Sequence, residues 1–260
     1  LGAVRVPDGP TFFSTTPAHV PPGVDMALDL LGCTYTTRTG PQDAAVDELL
    51  RADLSSGPVM LGPLDMGHLT YIPWHREMAG ADHYAVAYDL DDEGVHLQDP
   101  AGFPCVTLSF DDLDRAWRAT RIGYHGGAYH RWMEVRRVKH PSGAELYDAA
   151  LAWFASIYRD RPGGGATIRR LADDLRPGRV DPGQRGFLTG FALPLGARRA
   201  LDYAVFFERG DTALAAAKHG QAHAFGRCLQ AASGDDWDRV AAALDELADL
   251  EDELERAFTA

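Results

Sequence analysis

Lysine is almost absent from this chain. Of 25 basic residues only Lys139 and Lys218 are lysines, and 38 acidic residues leave a formal net charge of −13. A surface that acidic cannot neutralise a phosphate backbone, which excludes nucleic acid as the main partner and leaves an anionic membrane equally unsuited. Cysteine is scarce too: Cys33, Cys105 and Cys228 are odd in number and far apart. That excludes a disulfide framework and fits a reducing compartment. No apolar run reaches membrane-spanning length and no signal peptide is recognisable, so a cytoplasmic protein is expected. The bias of disordered chains is also missing. With 45% hydrophobic and 24% charged residues in 260 positions, the chain can bury the core of one large domain or two small ones. It begins with Leu rather than Met, so its natural start is expected upstream.

The charge is uneven. Residues 115–199 hold most of the arginines and residues 235–255 are strongly acidic, a pattern read as mutual neutralisation or as a docking face. The Ala-, Gly-, Asp- and Arg-rich usage is that of GC-rich bacterial coding.

Residues 1–22, rich in Pro, Gly and Thr, predict irregular structure. Val24–Leu31 predicts a short apolar helix and Pro41–Ala52 a surface helix. The pattern then becomes β-like. Pro58–Leu61, His83–Leu90, Val95–Gln98 and Cys105–Leu108 read as strands, with a turn at Asp91-Asp92-Glu93-Gly94. Ser109 is placed to cap a helix running to Ala119, and Trp132–Val138 alternates as a half-exposed strand does. Beyond Ala144 the period is helical, over Glu145–Tyr158, Ala166–Leu175, Pro194–Phe207, Thr212–Ala232 and Trp237–Phe258. The expected fold class is α+β, with an α+β domain over residues 1–140 and an all-helical domain over residues 144–260.

Within the predicted hairpin, Leu90 and Gly94 flank the turn, so Ala85 faces Asp99 and Ala87 faces Leu97. His83, two residues from Ala85, then shares a face with Asp99. Such a diagonal spans roughly 7 Å between Cα atoms, within reach of an imidazole and a carboxylate. A histidine so paired can take a proton from a nucleophile and return it to a leaving group, while the carboxylate fixes its tautomer. Ala85 and Ala87 leave room for another element to pack closely. The alternative is a strand with a polar end and a loop aspartate.

The run His83-Tyr84-Ala85-Val86-Ala87-Tyr88-Asp89 with Gly94-Val95-His96-Leu97-Gln98-Asp99-Pro100 resembles the second half of the bacteriocin-processing cysteine peptidases. Together with Gly57-Pro58-Val59-Met60 and Asp65-Met66-Gly67-His68-Leu69-Thr70-Tyr71, it is similar to the butirosin biosynthesis protein H family. That resemblance implies a papain-like cysteine-peptidase-type domain followed by a helical domain. It implies transfer of an acyl or aminoacyl group from a carrier-protein thioester to a small-molecule amine in natural-product (antibiotic) biosynthesis. The phosphopantetheine of an acyl carrier protein would be the substrate arm, with no cofactor of the enzyme's own. By match, His83 is the base, Asp99 its orienter, and Asp65 and Tyr71 lie in a motif near the site as substrate-binding candidates. The family's nucleophilic cysteine should open a helix well before His83, and no cysteine stands there. Cys33, after Gly32 at a helix end, is poorly placed for a thiolate. A thioesterase, cyclase or peptidase on the same pair, and a non-catalytic binding module, are the alternatives.

Weaker signals are His219 and His223 on one helix face, His68, His75 and His83 as loosely spaced metal ligands, and Gly163-Gly164-Gly165 before Arg169 and Arg170 as a phosphate cradle. Each has a plainer reading as surface, loop or linker, and no metal is expected. Tyr71, Trp74, Tyr84 and Tyr88 line either a cleft or the core, and the loop Gly123–Tyr129 could edge the site.

Overall fold

The computed structural model describes residues 2–5, 11–13, 20–122, 127–160, 162–176 and 180–259. In chain order these form β1 (Val4–Arg5), β2 (Thr11–Phe12), α1 (Val20–Leu30), β3 (Cys33–Gly40), α2 (Val46–Leu54), β4 (Val59–Asp65), β5 (Asp82–Leu90), β6 (Val95–Asp99), β7 (Phe103–Leu108), α3 (Phe110–Trp117), β8 (Ala128–Arg137), α4 (Gly143–Asp160), α5 (Gly164–Leu175), α6 (Pro182–Phe187), α7 (Leu193–Phe207), α8 (Thr212–Ser233) and α9 (Trp237–Thr259). The class is mixed α/β, a sheet region followed by a helical one. No described helix is long and apolar enough to cross a membrane.

Two compact units divide the chain: Gly23–Pro141, and Ser142–Ala260 together with Leu1–Pro22. The break after Pro141 falls where the change of period puts it. The first 22 residues, however, group with the helices rather than with the sheet as the 1–140 boundary expected. Aromatic packing is the reason. Phe13 lies edge-on to Phe225 at 4.8 Å and Phe12 to Phe187 at 5.3 Å.

The sheet unit is six antiparallel strands in the order β3-β8-β4-β5-β6-β7. Ladder partners share a face, so Arg131, Leu61 and Ala85 form one row and Trp132, Met60 and Val86 the row behind it. The first face is covered: Val46 and Leu50 of α2 and Leu113, Ala116 and Trp117 of α3 are buried with Leu61, Ala85, Ala87 and Leu97. On the reverse face Trp132 Nε1 donates to Asp25 Oδ1 of α1 at 2.7 Å. Ser109 caps α3 as its sequence predicts, accepting the Asp112 N–H at 3.2 Å. The predicted strands are present, with ends that differ by at most four residues. β3 was not anticipated, because Cys-Thr-Tyr-Thr-Thr-Arg-Thr-Gly shows no apolar alternation; pairing with β8 defines it. In β4 a bulge falls at Gly62-Pro63, where a Cβ on Gly62 would stand 2.2 Å from the Tyr84 ring.

In the helical unit α8 buries Leu214, Lys218, Gln221, Ala224, Phe225, Cys228 and Ala231, the three- and four-residue spacing of a core-facing helix. Gly196 brings α7 close to it, since a Cβ there would meet the Phe225 ring at 2.5 Å. α6 lies between the predicted helices Ala166–Leu175 and Pro194–Phe207, where no helix was expected. Asp181 accepts the Gln184 N–H at 2.9 Å and Pro182 fills the first turn, where a missing N–H is harmless. The arginine-rich middle and the acidic end neutralise one another: Arg169 pairs with Asp249 at 2.5 Å and Asp252 at 2.7 Å, Arg176 with Asp245, and Arg227 with Glu246.

Asp53 of α2 and Arg131 of β8 tie the covering helix to the sheet. Their side chains are 4% and 7% exposed and bonded through Nε, and Arg131 Nη1 also donates to the Tyr129 carbonyl at 3.0 Å. Two charges out of water are tolerable only together. Arg131→Met, which leaves Asp53 with only the distant Arg38 at 4.0 Å, is expected to lower stability by about 3–5 kcal/mol in urea unfolding, and Arg131→Met with Asp53→Leu to recover most of that loss.

Candidate active site

His83 is the second residue of β5 and Asp99 the last of β6. Val86 pairs with Gln98 and Ala87 with Leu97, which sets Ala85 opposite Asp99 as the hairpin predicts. Nearer the turn the register slips by one, with Asp89 opposite His96 and Leu90 opposite Val95. Leu90 and Gly94 therefore do not flank the turn as expected. The bulge at Tyr88 absorbs the extra residue, so the error never reaches His83.

His83 Nε2 lies 2.8 Å from Asp99 Oδ2, with the carboxylate side chain fully buried and the imidazole 14% exposed. Tyr71 Oη donates to the same oxygen at 2.8 Å, and the Ala101 N–H donates to Oδ1 at 2.7 Å. Burial alone would raise the Asp99 pKa. The hydrogen bond from His83, the Ala101 N–H, the charge of His83 and the Tyr71 hydroxyl outweigh it and hold the carboxyl below the usual range. Burial, then the hydrogen bond to Asp99 and its charge, push the Tyr71 phenol well above its ordinary value, so it stays a donor. An ionised Asp99 accepts a hydrogen bond from Nε2–H, leaving the lone pair of neutral His83 on Nδ1. The arrangement can therefore accept a proton at Nδ1 and stabilise the imidazolium that forms.

Of the four predicted site residues, His83, Asp99 and Tyr71 converge. Tyr71's hydroxyl is committed to the carboxylate. Asp65 stands elsewhere: its Oδ1 accepts the Gly67 N–H at 2.9 Å and the Gly80 N–H at 2.8 Å, closing the base of the loop that carries Tyr71. The Ala101 N–H escaped the sequence reading, although Asp-Pro-Ala is a recognisable Asx-turn in which a carboxylate accepts the N–H two residues on.

The same hairpin carries a second such pair that the sequence reading did not single out. His96 Nε2 lies 2.9 Å from Asp91 Oδ2, and its Nδ1 lies 3.1 Å from Thr107 Oγ1. It sits on the reverse face, with Asp91's side chain 51% exposed, where solvent screens the charges and weakens the chemistry. Burial separates the two pairs; their distances do not.

Neither cysteine of the sheet unit approaches His83. Cys33 pairs with Arg137 on the edge strand. Carried across the ladders it lies level with Asp91, roughly 25 Å along the strand direction from His83. Cys105 bonds with the hydroxyl of Tyr88, whose ring packs on His96 at 6.1 Å, and so belongs to the reverse face. Cys228 is buried in α8, where desolvation pushes its thiol up to about 12. The element packed against the small residues of β5 is α2, whose sequence holds no nucleophilic thiol or hydroxyl.

The weaker signals take their plainer readings. At the start of α5, Glu255 accepts the Gly163 N–H at 2.8 Å, and Cβ atoms on Gly164 and Gly165 would meet Glu251 at 3.1 Å and Asp252 at 2.0 Å. These glycines admit carboxylates of α9, which would repel a phosphate. His219 pairs with Glu208 at 3.0 Å, and His75 Nδ1 meets the Ile72 carbonyl at 2.9 Å. Among the described residues no three His, Cys, Asp or Glu side chains are placed to hold a metal. Of the four aromatics, Tyr71 bonds to Asp99, Tyr84 packs on Trp132 at 6.1 Å, Tyr88 packs on His96, and Trp74 is exposed. Within Gly123–Tyr129, residues 123–126 lie outside the described residues.

Residues 159–259 match the YobF C-terminal domain. The chain is also similar to the uncharacterized protein YobF of Bacillus subtilis (strain 168), 37% identical over 239 residues that make up 88% of this chain and 77% of that protein.

The charge on Asp99 makes the site's stability depend on pH. Its folded pKa lies below the unfolded value of about 3.9, so the unfolded chain binds more protons between the two values. The contribution is complete above the unfolded value and vanishes as pH falls through the folded one. Asp99→Asn should lower stability by about 2 kcal/mol at pH 7, and the deficit should shrink below about pH 4. Urea unfolding of both proteins from pH 7 to pH 3 checks this; a deficit unchanged at pH 3 would contradict it.

Proposed function

The chain belongs to the YobF family, and from that premise and the geometry of the site we propose that its sheet unit is an acyl-transfer domain of papain-like type. His83 is the general base and Asp99 its orienter. The observation that carries this reading is the 2.8 Å contact of His83 Nε2 with a fully buried carboxylate, which leaves Nδ1 as the basic nitrogen. The resemblance of residues 57–100 to the butirosin biosynthesis protein H family supplies the reaction class. The donor is a thioester on the phosphopantetheine arm of an acyl carrier protein, and the acceptor is a small-molecule amine in natural-product biosynthesis.

Because Cys33 and Cys105 of the sheet unit stand away from His83, the nucleophile in this reading is the acceptor itself. The neutral amine adds to the thioester carbonyl, forming the C–N bond. His83 Nδ1 takes the N–H proton of the adduct, the C–S bond breaks, and the imidazolium returns the proton to the leaving thiolate. Asp99 stabilises the imidazolium throughout, and its low proton affinity keeps it an orienter.

Acyl-pantetheine thioesters with hydroxylamine as the amine, followed by thiol release, give the test. His83→Ala is expected to slow transfer by about 10²- to 10⁴-fold with the unfolding midpoint little changed. Full activity in that variant would sink the proposal. Product analysis with and without the amine separates transfer from hydrolysis or cyclisation. The distance between His83 and the two cysteines of the sheet unit favours a second reading, a binding module that keeps the pair for structure. Thiol release well above the uncatalysed rate, lost in His83→Ala, would exclude that reading.

A further inference from the structure

Two donors share one oxygen at the centre of the site. His83 Nε2 and Tyr71 Oη each lie 2.8 Å from Asp99 Oδ2, while Oδ1 takes the Ala101 N–H. A carboxylate oxygen that already accepts a hydroxyl proton carries less charge for its second donor. In a buried setting that difference is not averaged away by solvent. Tyr71 is held to the task. Its ring packs against Phe103 at 5.9 Å. Its loop is closed at the base by Asp65 on Gly67 and Gly80 and by the Met66 N–H on the Ala81 carbonyl at 2.9 Å. A Cβ on Gly67 would collide with Ala79 at 2.8 Å, so the two arms of the loop are in contact.

We propose that Tyr71 is a positioning residue that sets the proton affinity of His83, by competing with it for Asp99 Oδ2. The hydroxyl keeps the imidazole from being driven into its charged form by an unshared buried carboxylate. Among the described residues, the titratable side chains bonded at this centre are Asp99, from β6, to His83, and Tyr71, from the loop, to Asp99. Asp65 and Asp82 pair with each other one step along the β4–β5 ladder, on the reverse face. Asp99 is therefore the carboxylate whose charge His83 meets directly, and Tyr71 the group that attenuates it.

The direction of the effect distinguishes this from a structural role. If the hydroxyl only braced Asp99, its removal would loosen the His83 contact and lower the His83 titration midpoint. If it competes, removal frees Oδ2 for His83 and the midpoint rises. The inference rests on His83 being the base of the site, yet the readout is the imidazole alone, so an inactive site would leave this result standing.

The experiment is a ¹⁵N-histidine NMR titration of the whole chain, with the His83 signals assigned by His83→Asn. Tyr71→Phe is expected to raise the His83 midpoint by about 0.5–1 pH unit. Replacing Tyr71 with 3-fluorotyrosine, whose more acidic hydroxyl is a stronger donor, is expected to lower it while leaving the packing intact. Shifts of opposite sign in the two variants support the proposal. An unchanged midpoint in both, or a fall in the phenylalanine variant, overturns it. Should the phenylalanine variant fail to fold, the fluorotyrosine shift alone decides: a fall supports the competition and no change overturns it.

Discussion

A carboxylate buried without solvent must be met by donors, and Asp99 imposes that condition on everything around it. Three elements answer it. β5 brings His83, the Asx-turn after β6 brings the Ala101 N–H, and the loop between β4 and β5 brings Tyr71. The third is the longest reach, twenty-eight residues back in the chain, and it explains why the loop is closed so firmly by Asp65. Asp65 matters to the site without touching it. The anion orders the loop, and the loop in turn decides how much of the anion's charge His83 receives.

The hairpin of β5 and β6 shows how little residue identity decides alone. It carries two histidine–aspartate pairs of nearly equal length, His83 with Asp99 and His96 with Asp91. One is sealed on the face where α2 and α3 pack, and the other stands toward solvent beside Tyr88 and Thr107. Electrostatic interactions gain strength as water is excluded. A pair that is chemically useful on one face is therefore a cross-strand surface contact on the other.

The helical unit obeys the same rule through a different device. Lys218, one of only two lysines, lies wholly buried in α8 and donates to Gln221 Oε1 at 2.8 Å; Gln221 Nε2 donates to Glu251 Oε2 at 2.7 Å. Burial lowers the lysine's proton affinity and the charge of Glu251 opposes that fall. The glutamine spaces the two charges and joins α8 to α9 through hydrogen bonds. Elsewhere the arginines and carboxylates meet at the surface, where each pair adds little but removes a large opposing field.

Much of this protein was legible in its sequence. The change from a period of two to one of three and four marked the boundary near residue 141, and small residues with a composition-defined turn fixed enough register to bring His83 to Asp99. Local patterns suffice there because alternation, capping and turn chemistry act over a few residues. β3 was not legible, since an edge strand needs no apolar face of its own and β8 defines it. Nor was the attachment of the first 22 residues to the helices, which depends on Phe12 and Phe13 meeting rings far along the chain. The sequence determined which residues could make a base and an orienter. Only the tertiary structure decided that Tyr71 shares their oxygen, that Asp65 serves the loop, and that Cys33 and Cys105 lie out of reach, because burial and distance arise from packing between segments that no local pattern encodes.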